Sequence, residues 1–88
     1  MRFQVLVEVR LRPGIADPAG ATVERSLPAL GFEGISEVSV GKAIRFVLDA
    51  PDETAARRSV NDLCRRFLTN PVIEDAVTTL SDAAPTPA

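Results

Sequence analysis

The side chains that invite a chemical reading are few: Cys64, the adjacent carboxylates Glu74 and Asp75, the acidic group Asp49, Asp52 and Glu53, and the glycines Gly31, Gly34 and Gly41. There is no His anywhere in the 88 residues. That removes the commonest general base and the commonest neutral metal ligand, and it excludes a Ser–His or Cys–His nucleophile. Cys64 falls on an apolar helical stripe, one residue after Leu63 and three before Phe67, which reads as a buried thiol rather than a reactive one. Glu74 and Asp75 are neighbours on a strand, so they point to opposite faces and cannot share a proton or a substrate. Asp49, Asp52 and Glu53 precede a helix, where capping and the helix dipole account for them without a cation. The three glycines match neither a GxGxxG nor a Walker-type phosphate loop. No catalytic residue, cofactor site or metal site is expected.

Charge narrows the partners. Ten basic residues stand against twelve acidic ones, for a net charge of −2. A nucleic-acid module would need a basic face able to neutralise phosphates, and a peripheral membrane binder a polybasic segment. Neither is present, so neither nucleic acid nor membrane is expected as a partner. A single cysteine excludes an intrachain disulfide and a Cys-based metal cluster. The N-terminal residues alternate apolar and polar instead of forming the apolar run of a signal peptide, so the expected location is cytoplasmic.

The elements that must position these groups read clearly. Phe3, Val5, Val7, Val9 and Leu11 alternate with polar residues, Leu6 excepted, as in a half-buried strand ending at Pro13-Gly14. Asp17-Pro18 is a helix N-cap and first-turn pair, and Val23, Leu27 and Leu30 form a stripe that Gly31 closes. Pro28 is expected to kink or tighten that helix near residues 24–26. Two strands are expected at 35–40 and 43–48. Gly41-Lys42 between them fits a type II′ hairpin loop, with a bend in one long ribbon as the alternative. Asp52 caps a second helix whose stripe is Ala56, Val60, Leu63, Cys64 and Phe67, and Asn70-Pro71 stops it. A last strand is expected over 72–80, and residues 81–88 as a disordered tail after a single domain of residues 1–80.

The order β-α-β-β-α-β predicts a ferredoxin-like sandwich: a four-stranded antiparallel or mixed sheet with two helices on one face. One feature does not suit a lone chain. Leu6 and Val47 fall on the open sheet face, and the last strand is apolar on both sides, with Val72, Ala76 and Leu80 on one and Ile73 and Val77 on the other. Strands apolar on both sides are buried on both sides, which points to cover by another chain, with dimerisation through the sheet.

Taken together, Asp17-Pro18 with Gly20, Leu30-Gly31-Phe32, the run Val38-Ser39-Val40-Gly41-Lys42, Cys64 with Leu68, and Asn70-Pro71-Val72-Ile73-Glu74-Asp75 resemble the PurS family, small subunits of phosphoribosylformylglycinamidine synthase. The resemblance spans residues 2–80. It departs at Ala76, where the family often has a larger residue, and at Pro28, which interrupts a helix. It implies a non-catalytic subunit of an ATP- and glutamine-dependent ligase in purine biosynthesis. Its partners would be itself, the synthetase chain and the glutaminase chain, with a role in passing ammonia between them. Gly41, Lys42, Asn70, Pro71, Glu74 and Asp75 are then candidates for partner contact or for structural turns. The competing reading is a ferredoxin-like regulatory module that binds a small molecule between subunits.

Overall fold

The computed structural model describes residues 1–82. Its centre is the first strand. Strand β1 (Arg2–Leu11) buries Phe3, Val5, Val7 and Val9 and exposes most of the alternate side chains, with Leu6 half-buried. β2 (Lys42–Asp49) pairs with it antiparallel on one side, and β3 (Glu74–Asp82) antiparallel on the other. The sheet order is β2-β1-β3. Val5 lies opposite Phe46 and Leu80, and Val7 opposite Ile44 and Thr78, so one row runs across all three strands. β3 extends through Ser81 and Asp82, and the rest of the expected tail, residues 83–88, lies outside the described residues.

Helix α2 (Glu53–Leu63) covers that row. Asp52 caps it, its Oδ1 accepting from the Ala55 N–H at 2.7 Å. Ala56, Val60 and Cys64 are buried against β1, and Ile44, Phe46, Leu48, Leu68 and Leu80 pack at the margins. Each fully buried Val contributes on the order of 1.5–3 kcal/mol. The helix passes into a π-helical turn, Cys64–Leu68, in which the Thr69 N–H and hydroxyl both donate to the Cys64 carbonyl. An i→i+5 turn is wider than an α-turn. It brings Leu68 back over the core and swings Phe67 outward, to 81% exposure. The expected stripe is therefore correct at Ala56, Val60 and Cys64 and wrong at Leu63 and Phe67.

Helix α1 (Pro18–Ser26) begins at the Asp17 cap and Pro18. It ends two residues before Pro28, which opens a short 3-10 turn, Pro28–Leu30, closed by Gly31 at φ 91°. The proline thus terminates the α-helix, whose end tightens as expected: the Leu27 N–H donates to the Glu24 carbonyl, and a 3-10 turn follows. No side chain of α1 or of the 3-10 turn belongs to the core: Val23 is 43% and Leu30 69% exposed.

The expected four-stranded sheet with two covering helices is incorrect: among the described residues the sheet has three strands, and α2 alone supplies its core helix. Residues 35–40 form no strand. Glu37 and Gly34 adopt positive φ and interrupt the extended run, whereas Gly41 does not, so no II′ hairpin folds the segment back onto β2. The segment lies along α1 instead. Together they form an arm beyond the sheet, and the radius of gyration is 17.0 Å, against about 12 Å for a compact chain of this length.

Candidate functional site

The six candidate residues gather at one end of the sheet, around the last residues of β1, on two sides. Lys42 opens β2 opposite Val9, while Glu74 and Asp75 open β3 opposite Leu11 and Arg10. As the strand alternation requires, Glu74 and Asp75 fall on different faces.

On the β3 side the run from Asn70 to Asp75 is a clamp. The Asn70 N–H donates to Glu74 Oε1 at 2.7 Å, and the Glu74 N–H returns to the Asn70 carbonyl at 2.8 Å. Asn70 Oδ1 accepts from the Val72 N–H at 3.1 Å, an Asx turn around Pro71. Arg12 ties the clamp to β1. Its N–H donates to the Ile73 carbonyl, and its Nε stands 3.4 Å from both the Glu74 carbonyl and Asp75 Oδ1. Both carboxylates thus have internal partners and neither points at a shared reaction centre. Among the described residues no group of three or more Cys, Asp or Glu side chains comes together in a way that could hold a metal ion.

On the β2 side Gly41 is fixed by space. A Cβ there would collide with the Val9 carbonyl oxygen. The Lys42 side chain makes no hydrogen bond or ion pair among the described residues; with Glu8, Arg10, Ser39 and Arg45 it lines a shallow open groove.

Asp17 caps α1 as its sequence predicts, and Asp17, Gly20 and Glu24 also hold the 38–40 run, which the sequence reading did not assign. Asp17 Oδ1 accepts from the Gly20 N–H and Oδ2 from the Val40 N–H, each at 2.9 Å. Those two N–H groups, Gly20 first, hold the Asp17 carboxyl below the usual carboxylate range. Glu24 Oε1 accepts from the Val38 N–H at 2.9 Å. Gly20 is buried, and a Cβ there would meet the Val38 carbonyl oxygen at 2.5 Å, so only glycine lets the 38–40 run cross the helix so closely. The signal was available: Asp17 and Glu24 are seven apart, two helical turns on one face. The arm that results carries exposed Val23, Leu30, Phe32, Ile35 and Val40.

A polar clamp, a glycine crossing and an uncovered apolar arm build contacts, not a reaction. Residues 4–82 match the family model described as PurS, phosphoribosylformylglycinamidine (FGAM) synthase. The chain belongs to the PurS family. It is 42% identical over 73 residues to the FGAM synthase subunit PurS of Synechocystis sp., covering 83% of this chain and 73% of that one. It is 41% identical over 75 residues to the same subunit of Methanothermobacter thermautotrophicus, covering 85% and 88%. Among solved structures it resembles Thermus thermophilus PurS at a TM-score of 0.83 and 32% identity, over 96% of this chain and 100% of that one. It resembles a chain of PurLQS from Thermotoga maritima at 0.85 and 27%, over 92% and 99%. The PurS match covers both the clamp and the arm, so the two features belong to the matched domain and not to an appended segment. The described residues contain no helix long and apolar enough to cross a membrane.

Proposed function

We propose that this chain is the PurS subunit of FGAM synthase and serves purine biosynthesis by joining the synthetase and glutaminase chains into one assembly, without chemistry of its own. What carries the reading is the uncovered arm. A chain whose Leu30, Phe32 and Ile35 have no place on its own sheet is complete only against other chains. A Methanocaldococcus jannaschii relative is named as one of the subunits of formylglycinamide ribonucleotide amidotransferase in the purine biosynthetic pathway, and the Thermotoga maritima relative stands in PurLQS.

The first partner is a second copy. The outer edge of β2 is unpaired among the described residues and the arm's Phe32 and Ile35 are uncovered, so exchange of arms in a homodimer would cover both. The synthetase and glutaminase chains then dock on this dimer, with Gly41, Lys42 and the Asn70–Asp75 clamp at one end of the sheet as the contact region. The role is positional: two active sites held in register lose less ammonia to solvent than two that meet by diffusion. The cytoplasm is the compartment this role calls for.

The test is the glutamine-driven synthesis rate in a reconstituted mixture with and without this chain. The chain should be required with glutamine and much less so when high ammonia is supplied directly. Equal glutamine-driven rates in its presence and absence would remove the reading.

A further inference from the structure

On the side of α2 that looks toward β3, helix and sheet do not close on each other. Residues opposite one another in an antiparallel pair point to one face, so Glu74, Ala76, Thr78 and Leu80 share the α2 side with Leu11, Val9, Val7 and Val5. Val9 is 1% exposed, yet Ala76 beside it is open to solvent. Its methyl group leaves a recess of about 380 Å³ between β3 and the C-terminal end of α2. Asn61 and Arg65, one helical turn apart, stand on the helix wall, and Glu74 stands on the sheet wall. Arg57 and Arg66 each hold the carboxylate four residues back, Glu53 and Asp62. Four residues back from Arg65 is Asn61, and neither side chain has an ion pair or hydrogen bond among the described residues. Glu74 offers Oε1 to the Asn70 N–H, and its Oε2 has no partner among the described residues. Arg12 and Asp75 line the recess as well and answer each other at 3.4 Å.

We propose that this recess binds a free α-amino acid with a short, uncharged side chain. One wall is cationic and the other anionic, and no ion pair joins Arg65 to Glu74 across the gap. A simple anion would answer Arg65 but meet the Glu74 carboxylate as a like charge. A simple cation would do the reverse. A zwitterion satisfies both walls at once. Its carboxylate accepts from the Arg65 guanidinium, whose planar fork matches it, and from the Asn61 amide. Its ammonium donates to Glu74 Oε2. The side chain then lies against Ala76, Pro71 and Cys64, an uncharged floor on which a charged side chain would lose its water without gaining a partner. Glu74 is set in place beforehand: the bond from the Asn70 N–H fixes its carboxylate, so little side-chain freedom is lost on binding. A larger residue at position 76 would fill the floor, so the site belongs to chains that carry a small residue there, as this one does.

The experiment is isothermal titration of the intact chain with L-alanine, L-serine and L-glutamine, each beside its α-amide and its N-acetyl derivative. At least one free amino acid should saturate the chain at millimolar concentration or below. Its α-amide, which lacks the carboxylate, and its N-acetyl form, which lacks the ammonium, should each bind about tenfold more weakly or worse. Arg65→Gln and Glu74→Gln should each weaken the free amino acid by a similar factor, and Ala76→Phe should abolish its binding. Arg65 is exposed, so Arg65→Gln keeps the test decisive even where Ala76→Phe fails to fold. Absence of saturable binding by all three amino acids would overturn the proposal. So would unchanged affinity in Arg65→Gln, or an α-amide that binds as well as the free acid. A double-variant cycle of Arg65→Gln with Glu74→Gln, read by melting without ligand, closes the last route: strong coupling would mean that the two side chains pair with each other, and the proposal fails.

Discussion

At position 41 a methyl group would run into the carbonyl oxygen of Val9, and the backbone around it is anchored by the Val9–Lys42 pair. Gly41→Ala is therefore expected to cost about 1–3 kcal/mol, the usual range for overpacking, and Gly41→Val more, measured as a shift in denaturant midpoint. Lys42→Ala, at an exposed side chain with no partner, should stay within about 0.5 kcal/mol, so any loss of assembly in it reports on contact with another chain. Glu74 offers a second check. Its Oε1 accepts the Asn70 N–H, so Glu74→Ala should cost about 0.5–1.5 kcal/mol, and Glu74→Gln, which keeps an acceptor oxygen, should recover most of it. Residue types disclosed the motif from Asn70 to Asp75. They did not disclose why Gly41 is glycine, because close approach of two backbones and a left-handed φ select the same residue.

Among the elements, the arm is the part most open to acid. The Asp17 carboxyl is held below its ordinary value of 3.8 in the folded chain. A carboxyl depressed by folding adds stability that is fully present above the unfolded value and is lost as pH falls through the folded one. Protection of the Gly20 and Val40 amides relative to their intrinsic exchange should therefore fall in wild type as pH drops below 3.8. In Asp17→Asn, whose single amide oxygen cannot serve both N–H groups as a carboxylate does, that protection should be lower at neutral pH and should not change across the same acid range. Both helix starts, Asp17 and Asp52, were legible because capping is local chemistry. So were β1 and the Ala56, Val60, Cys64 stripe, because burial imposes their period. The fourth strand was not. Val38 and Val40 alternate as a strand would, but their N–H groups are taken by Glu24 and Asp17; the spacing of those carboxylates puts them on one helix face but does not say which backbone they hold. Phe67 was misplaced for a related reason: the π-turn at Cys64–Leu68 changes the helical period where the sequence alone implies a constant one.

For the whole molecule, the arm predicts a separable defect. Phe32→Asp should dissociate the arm-exchanged pair without lowering the stability of the α2-covered core, since Phe32 is 56% exposed and touches none of it. Sedimentation and melting on one sample test both halves of the statement, and a melting loss above about 1 kcal/mol would show that the arm folds back on its own sheet. One property of the sheet also governs how the chain is made. β1 is its central strand and is synthesised before every other strand of the sheet, yet its neighbour β3 follows only after β2 and α2, with Phe3 paired to Asp82. Synthesis proceeds at roughly 5–20 residues per second, so the row Phe3, Val5, Val7, Val9 leaves the ribosome several seconds before its second neighbour exists. During that interval β1 has an unpaired edge and a β-branched apolar face, the form most prone to pairing with another nascent strand. A message truncated before residue 74 would make that interval permanent, and its product should collect with chaperones or in aggregates rather than in the assembly.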